Sequence, residues 1–322
     1  MADPTVLYAV SALTLLVLFA WSAYVLIRAP RLSIETGASD KADVESKREL
    51  PKTERPPDSE IVESEEHPTG PIARILVTAV GQSDPGLHRK QNEDAYVVLE
   101  PAHVYAVADG MGRHAAGEVA SQLCIETLRD TFVTRDFDPP EAGLSKRLGW
   151  LKRAISKANK RVLEAAQEND TYHGMGTTVV AVHFSPNRSR AYIAHVGDSR
   201  CCRYRRGELA QLTRDHTLGE AGIGGKNAHF LSRAVGIEEN VEIDFATDAP
   251  EIGDIYLLCS DGLSRMVSEE AIAAILGDNK DLDAAAKLLI EKANEGGGRD
   301  NITVILLRVD APTFTTKRHE TA

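Results

Sequence analysis

What this chain lacks narrows its chemistry before any motif is read. It has no excess of positive charge: 37 Lys and Arg stand against 48 Asp and Glu, a net charge of -11. That balance lacks the basic footprint of a nucleic-acid binder, so nucleic acid is set aside as a partner. Cysteine is sparse, with Cys124, Cys201, Cys202 and Cys259 in no CxxC spacing. Neither a disulfide framework nor a zinc site is indicated, and a reducing compartment fits. No internal repeat is visible. The glycine-rich stretch Thr217 to His229, "TLGEAGIGGKNAH", has the spacing of neither a Walker loop nor a dinucleotide fingerprint and reads as a mobile surface flap.

What is present begins with one long apolar run. Val6 to Ile27 carries no charged residue, and at ~1.5 Å per residue a helix of that length reaches ~33 Å, enough for a bilayer core. A cleaved signal peptide would have a basic start and a shorter apolar stretch, whereas the charged residue before this run is Asp3. Arg28 and Arg31 follow it, so the positive-inside rule directs the C-terminal side to the cytoplasm. The expected organisation is a short N-terminal tail (1–5), a transmembrane helix (6–27), a charged, disordered linker (28–70), a folded domain (71–310) and a polar tail (311–322). The expected location is the inner (cytoplasmic) membrane, single-pass, with the folded domain in the cytoplasm.

Within 71–310, strand-like runs occur at Ile75–Val80, Tyr96–Leu99, Val104–Ala108, Thr177–Phe184 and Ala191–Val196. They surround two long amphipathic helical patterns, Ala115–Phe132 and Glu141–Glu168. "TTVVAVHF" and "RAYIAHVG", joined by "SPNRS", read as an antiparallel hairpin, and "SRCCRYRRGELAQLT" as another. After "YLLCSDG" come helices near Ser268–Leu276 and Leu282–Asn294, then a last strand, Ile302–Val309. Strands and helices come in separate runs, which argues for an α+β fold of helices packed on antiparallel sheets rather than a βαβ fold.

Four acids sit at the ends of these strands: Asp109, Asp198, Asp261 and Asp300. A single Asp-Gly pair is ordinarily a turn. Several carboxylates gathered on one rim of a core repel one another and cost desolvation energy unless a cation neutralises them. An all-oxygen set selects hard ions such as Mg2+ or Mn2+.

The motifs "RKQNEDA" (Arg89 to Ala95), "VADGMGRHAAGEVAS" (Val107 to Ser121), "GMGTT" (Gly174 to Thr178), "HVGDSR" (His195 to Arg200), "LTRDH" (Leu212 to His216), "LSRAVG" (Leu231 to Gly236), "SDGL" (Ser260 to Leu263) and "DNIT" (Asp300 to Thr303) occur in one order along the domain. In that order they resemble the metal-dependent protein phosphatases of type 2C, in the form seen in bacterial Ser/Thr phosphatases. The resemblance implies an antiparallel β-sandwich flanked by helices. It implies two Mn2+ or Mg2+ ions and a third, weaker one, with phosphoprotein substrates and a cognate Ser/Thr kinase as partners.

Residue by residue, Asp109 is similar to the carboxylate that bridges two ions and the Gly110 carbonyl to a further ligand. Asp261 and Asp300 resemble acids completing one ion's shell, and Glu93 and Asp94 those that hold its waters. Asp198, sharing Asp261, resembles the position of the weaker ion, and Arg89 the arginine that grips substrate phosphate. Catalysis would rest on Arg89 and Asp109.

Several positions depart from that pattern or have a plainer reading. Met111 stands where eukaryotic relatives carry a histidine proposed as general acid, and Arg113 replaces a glycine. His114 is a candidate proton donor that also matches a structural motif. His195 reads as a hydrogen-bonded core histidine, Cys259 and Ser260 as packing residues, and Arg203 to Arg206 as a solvated hairpin tip or, less simply, a docking patch. The implied function is a membrane-anchored protein serine/threonine phosphatase. The alternatives are a catalytically silent phosphoprotein-binding pseudophosphatase and a phosphatase dedicated to an anti-sigma-factor antagonist.

Overall fold

The computed structural model describes residues 76–112, 116–135, 137, 144–185 and 189–311. The expected transmembrane helix (6–27), the linker (28–70), the tail from 312, and Arg113 and His114 lie outside them. Among the described residues no helix is long and apolar enough to cross a membrane.

Two antiparallel sheets carry the fold. The first runs β1 (Leu76–Asp84), β11 (Ile302–Asp310), β10 (Ile255–Cys259), β7 (Arg200–Arg205) and β8 (Glu208–Gln211). The second runs β2 (Asp94–Leu99), β3 (Val104–Met111), β5 (Val179–Phe184), β6 (Ala191–Val196) and β9 (Asp244–Asp248), and the short β4 (Gly176–Thr177) pairs with β3. Period-two alternation then builds three apolar layers. Tyr105 and Val107 of β3 meet Tyr256 and Leu258 of β10 and Ile305 and Leu307 of β11 between the sheets. Val104, Ala106 and Ala108, on the other face of β3, pack on α1 (Ala116–Thr134) and α2 (Lys146–Glu168). Leu257 and Cys259 pack outward toward α4 (Glu269–Asp278) and α5 (Leu282–Glu295). Strands covered on both faces need apolar residues at every position, which explains runs such as "YLLC".

The expected elements are found with small shifts. The second helix begins at Lys146, where Ser145 is its N-cap and its side chain accepts from the Leu148 N–H; the expected start at Glu141 lies outside the described residues. Strand β9 was not anticipated, since "DFATD" is short and flanked by acids. The lip after β10 is a helix start rather than a bare turn: Ser260 is extended and Asp261 opens the four-residue α3 (Asp261–Ser264). The glycine-rich segment at 217–229 is closed at its base by Leu218 N–H to Phe230 O (2.8 Å) and Gly219 N–H to Ala228 O (2.7 Å).

Candidate active site

The pairing of β2 with β3 sets Asp94 directly opposite Asp109. Three bonds hold Asp109 in place: its N–H donates to Thr178 Oγ1 (3.1 Å), and its carbonyl accepts from Thr177 Oγ1 (2.9 Å) and from the Thr178 N–H (2.9 Å). Asp198 follows β6, Asp261 follows β10 and Asp300 precedes β11, so the two sheets contribute acids to one rim. There Arg89, Glu93, Asp109, Gly110, Asp198, Asp261 and Asp300 line a cavity of about 240 Å³, with Met111, Thr178, Leu231 and Arg265. Asp94 sits behind it, buried, with Oδ1 lacking any hydrogen-bond partner. The predicted metal-binding and phosphate-binding residues are thus brought to one place, while the candidate proton donor His114 lies outside the described residues.

Burial and mutual repulsion dominate the electrostatics. Asp109 is held well above the usual carboxylate range, first by burial and then by the charges of Asp94, Asp261, Asp198 and Asp300. Burial likewise pushes Asp94 up to about 7 and Asp261 to about 6, and raises Asp198 and Glu93. Among the described residues, two guanidiniums answer this charge. Arg89 Nη2 donates to Asp300 Oδ2 at 2.8 Å and its Nη1 lies 3.6 Å from Glu93 Oε2. Arg265 Nη2 lies 2.8 Å from both Asp198 Oδ2 and Asp261 Oδ2.

The residues also fit a metal centre. The donor set is all oxygen, the buried Asp94 Oδ1 has no protein partner, and the main chain leaves no room for a side chain beside Asp109. A Cβ at Gly110 would come within 2.1 Å of the Gly117 carbonyl oxygen and 2.5 Å of that of Glu93, so glycine is required for the close approach.

Three contributors escaped the sequence reading. Ser260 is not mere packing: its Oγ donates to Asp94 Oδ2 (2.8 Å) and accepts from the Thr303 N–H (3.0 Å). Asn301 accepts the Glu93 N–H (2.8 Å) and donates to the Pro85 and Gln91 carbonyls, which fixes the loop that carries Glu93. Arg265 stands four residues after Asp261; that helical spacing was the one available signal.

The plainer readings divide. Cys259 is 1% exposed and burial pushes its thiol far above the ordinary range, so it is packing and no nucleophile. All four cysteines are free. His195 is a core histidine whose Nε2 bonds the Arg214 carbonyl at 2.8 Å. With His216 and Asp244 it forms a group of metal-ligand type, but Asp244 already receives Arg233 Nη1 at 2.7 Å, a cation in place. The arginine run is a solvated tip only at Arg206, whose side chain is 82% exposed. Arg203 pairs with Asp248 (2.6 Å), Arg205 with Asp254 (2.6 Å), and Arg206 with Glu251 (2.8 Å), so each of these charges is matched within the fold.

A groove of about 970 Å³ adjoins the acid cavity and shares Arg89, Met111, Leu231 and Arg265 with it. Phe230, Ile237 and Val241 add apolar wall, and Glu238 and Glu242 add acids.

Comparison with known proteins agrees with this geometry. The family described as protein phosphatase 2C matches residues 88–287. The serine/threonine phosphatase stp of Listeria monocytogenes serovar 1/2a is 36% identical over 245 residues, 71% of this chain and 94% of the relative. The serine/threonine protein phosphatase PstP of Mycobacterium tuberculosis is 39% identical over 246 residues, 73% of this chain and 45% of the relative. Among solved structures, the M. tuberculosis phosphatase PstP/Ppp superposes with a TM-score of 0.64 at 36% identity, covering 73% of this chain and 99% of that one. The catalytic domain of PstP in complex with two manganese ions gives a TM-score of 0.63 at 38% identity, with the same coverage.

Proposed function

The chain belongs to the protein phosphatase 2C family, and on that premise we propose that it hydrolyses phosphoserine and phosphothreonine in proteins from an anchor in the cytoplasmic membrane. It is a metal-dependent protein phosphatase of the bacterial serine/threonine type, and its cofactors are Mn2+ or Mg2+. The observation that carries the reading is the gathering of Glu93, Asp109, Asp198, Asp261 and Asp300 around one small cavity, with Asp94 behind it.

Asp109, Asp261, Asp300 and the Gly110 carbonyl would hold two ions, with Glu93 and Asp94 orienting water. Such a pair, when bound, would neutralise the acids and would supply a water acidic enough to act as nucleophile near neutral pH. Arg89 has its guanidinium at the cavity mouth, 46% exposed, where a planar, permanently charged fork suits a phosphate dianion. A silent phosphoprotein-binding module is disfavoured, because without an ion the buried acids only destabilise the fold. The anchor is supported by the uncharged Val6 to Ile27 run and by Arg28 and Arg31 after it. A membrane-tethered enzyme of this kind would act on the targets of a Ser/Thr kinase at the same surface.

Phosphate release from phosphothreonine and phosphotyrosine peptides tests the reading, with Mn2+, with Mg2+ and with chelator. The expected result is metal-restored hydrolysis of phosphothreonine. Activity that resists chelation and is lost on thiol alkylation would overturn it.

A further inference from the structure

The resemblance to type 2C phosphatases assigns a third, weaker metal ion to Asp198 and Asp261, and the structure disagrees. Arg265 Nη2 lies 2.8 Å from Asp198 Oδ2 and 2.8 Å from Asp261 Oδ2 at once. One nitrogen therefore occupies the space between the two carboxylates. Mg2+ ligates carboxylate oxygen at ~2.0–2.1 Å, and Mn2+ prefers the same octahedral oxygen shell, so an ion shared by these two oxygens would compete with that nitrogen for both of them.

The arginine is held there by its own segment. It follows Asp261 by four residues, the spacing that places two side chains on one helical face. Its N–H also donates to the Asp261 carbonyl at 2.9 Å. The partners are deeply set, at 6% exposure for Asp198 and 13% for Asp261, while the arginine is 42% exposed. Its stem therefore reaches inward from the groove to deliver the charge. The charges acting on Asp198 are those of Arg265 and Asp215, and Asp215 is already paired with Arg200 at 2.7 Å. Arg89 differs, because it makes one short bond, to Asp300, and stays 3.6 Å from Glu93.

We propose that Arg265 is a resident cation of the site, a positioning residue that bridges Asp198 and Asp261 where a third metal ion would otherwise bind. The proposal rests on the two-metal reading above and adds that this chain takes two ions and excludes the third. A guanidinium cannot be diluted away or chelated, so Asp198 and Asp261 keep a shared cation when metal is scarce. It also leaves a fixed positive charge at the wall shared by the cavity and the groove.

The test counts ions rather than turnover. The full chain, Arg265→Gln and Arg265→Lys are titrated with Mn2+ by calorimetry, with free Mn2+ followed by electron paramagnetic resonance. Glutamine keeps much of the length and removes the charge; lysine restores a charge. The expected result is two ions for the wild type, an additional weaker one for Arg265→Gln, and two again for Arg265→Lys. Far-UV circular dichroism establishes that each variant is folded. A third ion on the wild type overturns the proposal without recourse to any variant, and so does a folded Arg265→Gln that stays at two. Absence of Mn2+ binding by the wild type would overturn the two-metal reading and this proposal with it, an outcome distinct from both of those.

Discussion

Ser260, just past the end of β10, and Asp94, the first residue of β2, 166 residues apart, are joined by a hydrogen bond of 2.8 Å from the serine hydroxyl to the aspartate Oδ2. The same hydroxyl accepts from the Thr303 N–H at 3.0 Å. One oxygen thus ties the end of β10 and the start of β11 to the acid at the start of β2.

Ser260→Ala should therefore cost more than a lost hydroxyl, since a buried carboxylate and a buried N–H both lose a partner. A loss of ~1–3 kcal/mol is expected for each buried polar group left unsatisfied. Chemical unfolding measures the loss, and Mn2+ titration should show a higher concentration for half-maximal activity. Unchanged stability would mean that the bond contributes nothing.

Asp261→Asn separates a metal ligand from a turn residue. It keeps the size and the helix-opening character of the side chain while removing a charge that burial and Asp198 already disfavour. In chelator the variant should be at least as stable as the wild type, and in Mn2+ it should lose most of the metal-induced rise in unfolding temperature together with activity. Full activity with the same metal-induced rise would overturn the ligand assignment.

The chelated protein should gain stability as pH falls from about 8 toward the ordinary histidine value of 6.5. Asp94 is raised to about 7 and Asp109 well above the carboxylate range, so the native state takes up protons there while the unfolded state does not. Below 6.5 the buried His183, His195 and His216, all lowered by burial, act in the opposite sense. Subtracting the profile of Asp94→Asn isolates the acid contribution. Thermal unfolding across this range checks the sign, and a wild type that loses stability between pH 8 and 6.5 would contradict it.

Arg89→Ala should chiefly raise KM for phosphopeptides, because the phosphate is already charged before reaction. Loss of a charged hydrogen bond of ~1.5–3 kcal/mol corresponds to roughly 10- to 150-fold. An unchanged KM would pass the grip on phosphate to another cation, Arg265 being the one that shares both cavities.

For the anchor, external protease should leave the folded domain intact in whole cells and cut it only after permeabilisation. Cleavage in intact cells would reverse the orientation.

Much was legible in the chain because it depends on local pattern. Apolar runs such as "VVAVHF" mark strands covered on both sides, Ser268 marks a helix start, and ordered motifs carry Asp94, Asp109, Asp198, Asp261 and Asp300 to their places. What stayed hidden depends on contacts between distant segments. Nothing near Ser260 says that its hydroxyl meets Asp94, and nothing near Asn301 says that it braces Glu93. The arginines at 203 to 206 look solvated until β9 and the turn before β10 bring Asp248, Glu251 and Asp254 beside them. Arg265 was within reach of helical spacing from Asp261, but its second partner, Asp198, arrives from the other sheet. Local sequence determined which acids stand at strand ends; only the packing of one sheet on the other decided which cations face them, because charge pairing acts through space and not along the chain.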